Sequence, residues 1–190
     1  MQALTFNRER HEYTVDGRII PSVSEIMRPL TDSYYSKASL KAIEKAKKRG
    51  TAVHEAIDDY LLFGVTNKRY EPYIKAYEAF QARWPMKLVG NELMLTNGKY
   101  AGTVDLLFVD AFGFFHLVDM KVTYKINADL LAVQLEAYKR LCEHNGLPVK
   151  ECHVLWFKTK DKKVEYEYKP ITPNPTTWNS LCFTNPKVAK

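Results

Sequence analysis

Hydrophobic and polar positions change period several times along this chain, and each change predicts an element. Residues 4–20 alternate loosely around Asp16-Gly17, a strong turn signal, and read as a small hairpin. Pro21-Ser22-Val23-Ser24 then starts a short helix or turn carrying Glu25 to Met27, and Pro29 limits it. A longer helix is expected over 34–48, with Ala38, Ala42 and Ala46 at four-residue spacing and its lysines to one side. Gly50 interrupts it, and a further helix over 51–63 has Val53, Ala56, Ile57, Tyr60 and Leu61 as its buried stripe. Residues 70–84 form another amphipathic helix, with Tyr73, Ile74, Tyr77 and Phe80 apolar and Pro85 closing it.

Strand-like segments follow over 87–95, 100–109 and 114–121. A helix over 128–144 carries Leu131, Leu135, Tyr138 and Cys142, and Asn145-Gly146 is its stop signal. Two strands, 150–158 and 163–169, turn around the charged segment Lys160 to Lys163. The tail from Pro170 is rich in Pro, Asn and Thr, with one short helix expected near Trp178. Helices, then a meandering sheet, then a helix and more strands make a single α/β or α+β domain over 1–190.

Composition narrows the function less than it narrows the fold. Apolar residues make up 46% and charged residues 26%, ordinary for a globular chain. The formal charge of +6 favours a polyanionic partner. The excess is local: Lys37, Lys41, Lys45, Lys47, Lys48 and Arg49 fall in one run against the single acid Glu44. Cys142, Cys152 and Cys182 are widely spaced and odd in number, which fits neither a disulfide framework nor a zinc or iron–sulfur spacing. No apolar run approaches the ~20 residues that span a bilayer, and the N-terminus lacks a signal-peptide pattern. An intracellular, reducing location is the expectation, with the cytoplasm of a bacterium or phage-infected cell preferred and a mitochondrial one left open.

The candidate chemistry lies between Gly102 and Lys121. Residues alternate faces along a strand, so Asp119 and Lys121 point the same way. A hairpin closing near Asp110–Gly113 lays Asp105 beside them. On alternation Asp105 shares a face with Thr103, Leu107 and Val109. Both acids sit in apolar strands, where desolvation makes a carboxylate costly and metal coordination offsets that cost. The bland alternatives are an edge-strand acid facing water and a surface lysine at a strand end. Asp-x-Lys alone is a weak motif. Its weight comes from the strand context and from Asp105 fourteen residues earlier.

Four further features bear on the same site. Glu92, on the preceding strand, is either an exposed strand glutamate or a group acting on a metal-bound water or a second metal. His54 lies one turn into the helix after the basic run; an imidazole suits Mn²⁺ and other first-row ions, while carboxylates suit Mg²⁺. Gln134 and Tyr138 are four apart and share a helix face. Gln134 can orient Lys121 or hold a DNA phosphate, with ordinary core packing as the alternative. Helix 37–49, with Lys41, Lys45, Lys48 and Arg49, reads as a DNA-backbone contact supplying salt-sensitive, sequence-independent affinity, or as solvated surface.

The set His54, Glu92, Gly102-Thr103-Val104-Asp105, Asp119-Met120-Lys121 and Gln134-Leu135-Glu136-Ala137-Tyr138 closely resembles the PD-(D/E)xK nuclease superfamily. Within it the match is to the branch similar to the RecB nuclease domain, which includes many phage and mitochondrial exonucleases. The resemblance covers roughly residues 20 to 140. Asp119 stands where many relatives have Glu, and neither a four-cysteine cluster nor a helicase segment is present. The resemblance implies a restriction-endonuclease-like α/β fold, a central mixed β-sheet flanked by helices with an N-terminal hairpin and helical segment. It implies one or two Mg²⁺ or Mn²⁺ ions held by Asp105, Asp119 and His54, with the Met120 carbonyl a further ligand. Lys121, Glu92 and Gln134 complete the catalytic set, and Lys41, Lys45, Lys48, Arg49 and Tyr138 the DNA-binding set.

The function expected is a divalent-metal-dependent DNA exonuclease in recombination, repair or phage replication. DNA is the expected partner, and a recombinase or single-strand-binding protein is a candidate protein partner. Tyr34, Tyr35 or Trp84 would stack on unpaired bases. A structure-selective endonuclease on the same fold and a catalytically inactive DNA-binding protein are the rival readings.

Overall fold

The computed structural model describes residues 3–36, 39–160 and 163–188. Its centre is a five-stranded mixed sheet in the order β4-β5-β6-β7-β8, formed by Lys87–Thr96, Ala101–Val109, Phe115–Lys121, Val149–Lys160 and Lys163–Pro170. Only β6 and β7 run parallel. A parallel pair needs a crossover, which α5 (Ala128–His144) supplies, with the Asn127 side chain accepting from Leu130 N at its start. A separate sheet precedes it: β1 (Leu4–Asn7), β2 (Glu12–Val15) and β3 (Arg18–Ile20). Helices α1 (Val23–Ile26), α2 (Arg28–Tyr35), α3 (Leu40–Phe63) and α4 (Glu71–Arg83) follow, and α6 (Pro175–Thr184) is the last described element. This is the α/β architecture the resemblance implies, a central mixed sheet flanked by helices behind an N-terminal hairpin and helical segment.

The sheet is covered on both faces. One core gathers Val23 and Ile26 of α1, Leu135 and Leu141 of α5 and Trp178 of α6 over Val104 and Leu117. The other sets Val53 and Ile57 of α3 and Ile74, Tyr77 and Phe80 of α4 against Leu106, Phe108, Val118 and Phe157. Phe80 and Phe108 are fully buried and meet edge to face. Burying each contributes roughly 1.5–3 kcal/mol.

Three expectations need correction. The N-terminal hairpin gains a third strand, because a second turn through His11 (φ 53) precedes the predicted one at Asp16-Gly17 (φ 49 and 80). The short helix α1 does stop before Pro29, with Met27 as its C-cap, and Pro29 then sits in the first turn of α2, where its missing N–H costs nothing. Gly50 does not interrupt anything, since α3 runs unbroken for 24 residues from Leu40 to Phe63. A mid-helix glycine costs only about 1 kcal/mol. Residues 34 and 35 belong to α2, while Lys37 and Ala38 lie outside the described residues.

The third correction concerns the site itself. Strict alternation puts Val104, Leu106 and Phe108 on one face, but Val104 packs with Leu107 and Leu117, and Leu106 with Phe108 in the opposite core. The phase slips at Asp105. The β5–β6 pairing reaches only Leu106↔Val118, and beyond it the Met120 N–H donates to Asp105 Oδ2 at 2.7 Å. A side chain has replaced a ladder carbonyl and parted the two strands.

Candidate metal centre

The parted ends of β5 and β6 carry the predicted acids. Asp119 is 2% exposed, and its Oδ2 lies 2.7 Å from Lys121 Nζ. The two are neighbours on one strand face, as their spacing requires. Lys121 Nζ also donates to Gln134 Oε1 (3.1 Å), and Gln134 Nε2 donates to the Tyr138 hydroxyl at 3.4 Å. The crossover helix therefore fixes the ammonium from behind. Tyr138 is itself buried, lying against Gly102.

The second half of the site comes from α3 and β4. His54 Nδ1 lies 3.7 Å from Glu92 Oε1 and 3.8 Å from Asp105 Oδ1. The three side chains offer ligand atoms all within 4.8 Å of one another, a set to which Asp119 does not belong. On the other side of the ring, Nε2 donates to the Met120 carbonyl at 3.0 Å. A metal-binding imidazole commonly anchors its second nitrogen in this way. The Met120 carbonyl, expected as a ligand, accepts from the ring here. Glu92 has φ 45 in the middle of a strand, a conformation that costs a non-glycine residue of order 1–3 kcal/mol.

The electrostatics follow from burial and crowding. Burial alone would lower the His54 pKa, but Asp105 and then Glu92 outweigh it and raise the value to about 9. Burial raises Asp105, opposed by His54 and Lys121. Burial likewise raises Asp119 to about 6 against the pull of Lys121. Lys121 is lowered by burial yet raised overall by Asp119 and Asp105. In that pair the ammonium is the settled charge, and the carboxylate carries the cost.

Does this set, with Asp119 beside it, fit a divalent cation? Neither buried oxygen of Asp119 accepts a well-angled hydrogen bond, the ion pair with Lys121 included. Such orphaned oxygens are rare unless something else satisfies them. Carboxylate oxygens with a single imidazole suit Mg²⁺ or Mn²⁺. The donor set fits.

A cavity of about 570 Å³ opens at His54 and Glu92. The N-terminal sheet forms one wall through Phe6, Arg8, His11 and Tyr13, and α3 forms another through Lys47 and Thr51. Asp105, Asp119 and Lys121 are not part of its lining. Tyr13 ties the wall to β5, its hydroxyl 2.7 Å from that of Thr103. Sequence reasoning missed this wall. Its only signal was the aromatic content of the hairpin, which as easily marks a small core.

The basic run is placed as follows. Lys41, Lys45, Lys48 and Arg49 are exposed, and no residue of α3 before Val53 is buried. Lys48 pairs with Glu44 at 2.8 Å, and Arg49 donates to the Val122 carbonyl at 3.2 Å, anchoring the arm beside the end of β6. Tyr34 and Tyr35 on α2 and Trp84 are all about half exposed, with one side of Trp84 against Tyr168.

No family model matches the chain, and no curated protein matches it. Among solved structures it is similar to a protein named SSO0001 (12% identity, TM-score 0.42, 85% of this chain and 72% of that one). It is also similar to a phage related exonuclease from Haemophilus somnus 129PT (14% identity, TM-score 0.42, 85% of this chain and 86% of that one). Likeness at this distance assigns no activity to the chain.

Proposed function

We propose that this chain is a divalent-metal-dependent deoxyribonuclease that acts on DNA ends. The observation that carries the reading is the convergence of His54, Glu92 and Asp105 next to the Asp119–Lys121–Gln134 chain. His54, Glu92 and Asp105 would hold a Mg²⁺ or Mn²⁺ ion, with Asp119 beside them. When bound, such an ion polarises a phosphoryl oxygen and lowers the pKa of water. Lys121, held by Asp119 and Gln134, presents its ammonium where charge builds on the phosphoryl oxygens. Gln134 positions Lys121 and leaves the chemistry to it. Lys41, Lys45, Lys48 and Arg49 grip the backbone.

The walled cavity favours an end over a continuous duplex. Its volume of about 570 Å³ is that of a small-ligand site, roughly 300–1,000 Å³. Phe6 and the exposed His11, backed by the buried Tyr13 ring that stacks on Phe6, would offer faces for an unpaired base. Recombination, repair and phage replication are settings that consume such ends.

Linear and covalently closed circular DNA, each incubated with Mn²⁺, test the reading. Linear DNA should shorten while the circle persists, and Lys121→Ala should lose about 10²–10³-fold in rate with binding retained. Undiminished cleavage by Lys121→Ala would overturn the assignment, and nicking of the circle would favour an endonuclease.

A further inference from the structure

A second cluster of ligating side chains lies at the other end of β6 from Lys121. His116 stands near the start of β6, and Glu151 and His153 near the start of β7. The parallel register sets His116 opposite Glu151 and Val118 opposite His153. The three offer ligand atoms within 4.8 Å of one another. The nuclease chemistry uses none of them.

The spacing is not that of a hydrogen-bonded network. His116 Nδ1 and His153 Nε2 each lie 3.5 Å from Glu151 Oε2. That is beyond the 2.7–3.2 Å of an N–H···O bond. Bond lengths of about 2.0–2.1 Å at tetrahedral angles put neighbouring zinc ligands about 3.3–3.4 Å apart. His116 is 9% exposed and His153 7%, and His116 Nδ1, the nitrogen that faces Glu151, is buried with no hydrogen-bond partner; His153 faces Glu151 through Nε2.

The surroundings orient the rings. His116 Nε2 donates to Asp110 Oδ2 at 3.0 Å, which leaves Nδ1 as the nitrogen facing Glu151. Asp110 is itself fixed, its Oδ1 accepting from Phe112 N and Phe114 N at 2.9 Å each. A carboxylate behind a histidine is the usual support of a bound zinc. His153 lies flat on Tyr168, ring centroids 4.4 Å apart. The Glu151 side chain is 51% exposed, which leaves an entry path and an open fourth position for water.

The geometry points to a zinc site built from His116, Glu151 and His153, with Asp110 as the positioning residue. Two imidazoles and one carboxylate select a borderline ion of the Zn²⁺ type, unlike the oxygen-rich set around His54. The ion would tie the start of β6, and through Asp110 the β5–β6 turn, to the start of β7.

The site is tested by calorimetric titration with ZnCl₂ after chelation, in a His54→Gln/Asp105→Asn background that disables the other centre. One equivalent should bind. Asp110→Asn should weaken it about 10–100-fold, and Glu151→Gln by more. Co²⁺ should give the strong visible absorption of a four-coordinate ion. In the otherwise natural chain, Glu151→Gln should lose one zinc equivalent while Mn²⁺-dependent cleavage of linear DNA continues. Zinc binding unchanged by Glu151→Gln and His116→Gln, or no zinc bound by the folded background protein, would overturn the site without touching the nuclease reading. Loss of cleavage with zinc binding intact would do the reverse.

Discussion

Gly102 and Tyr138 meet so closely that a β-carbon on residue 102 would lie 2.6 Å from Tyr138 Cε1 and 3.1 Å from Val23 Cγ2. Tyr138 is buried in the same core as Val23, so its ring cannot retreat freely. Gly102→Ala should therefore cost about 1–3 kcal/mol, as overpacking does. Urea denaturation measures it, and Tyr138→Ala in the same chain should recover part of the loss in a double-mutant cycle. An additive pair would refute the contact as the cause.

Glu92 makes a separable case. Its positive φ taxes the fold, and its carboxylate adds negative charge beside Asp105. Glu92→Gly removes both, while Glu92→Gln removes only the charge. The glycine variant should be the more stable by about 1 kcal/mol, after the entropic cost of glycine is offset against the strain relieved. Both should bind Mn²⁺ more weakly. Equal denaturant midpoints would show that the conformation carries no strain.

Metal should stabilise the fold by mass action. At a hundred times its Kd, a ligand that binds only the native state contributes about 2.7 kcal/mol. For 190 residues that is a rise in Tm of roughly 5–11 °C. Scanning calorimetry should show it with Mn²⁺ in the natural chain and lose most of it in Asp105→Asn. A variant that kept the full shift would remove Asp105 from the ligand set.

The lysines of α3 should act through phosphates. Replacing Lys41, Lys45 and Lys48 with Gln, in a Lys121→Ala background that prevents cleavage, should make the plot of log affinity against log salt shallower. The change is about 2.7 on duplex DNA or about 2.1 on a single strand if each lysine meets one phosphate. An unaltered slope would return these lysines to ordinary solvated surface.

Thiol reagents should distinguish the cysteines. Burial raises Cys142 and Cys152 to about 12, so at pH 8 about one in ten thousand of each is the reactive thiolate. Burial raises the Cys182 thiol too, but Cys182 is only half-buried. Alkylation of native protein should mark Cys182 first and the other two only in denaturant. Early labelling of Cys142 would contradict the packing of α5.

Much of this was legible beforehand, for identifiable reasons. Asp119 and Lys121 meet because two residues along a strand share a face whatever the fold, and α5 follows from its apolar spacing and its Asn145-Gly146 stop. What escaped depends on long-range geometry. The slip at Asp105 arises only when its carboxylate takes a backbone N–H from β6. Periodicity cannot report an exception to itself. Gly50 looks like punctuation in sequence but is a tolerated cost within a long helix. His116 stands thirty-five residues before Glu151, and nothing short of the parallel pairing of β6 with β7 brings them together.

The unbroken α3 has one more implication. At about 1.5 Å per residue, its 24 residues make a rod about 36 Å long, buried at Val53 and Ile57, tied at Arg49 to the Val122 carbonyl and exposed toward Leu40. The exposed lysines and the His54 imidazole are mounted on that one beam. On the proposed reading, a polyanion held near Leu40 would pull on the same rod that carries the imidazole, which would couple the strength of the grip to the seating of the ion.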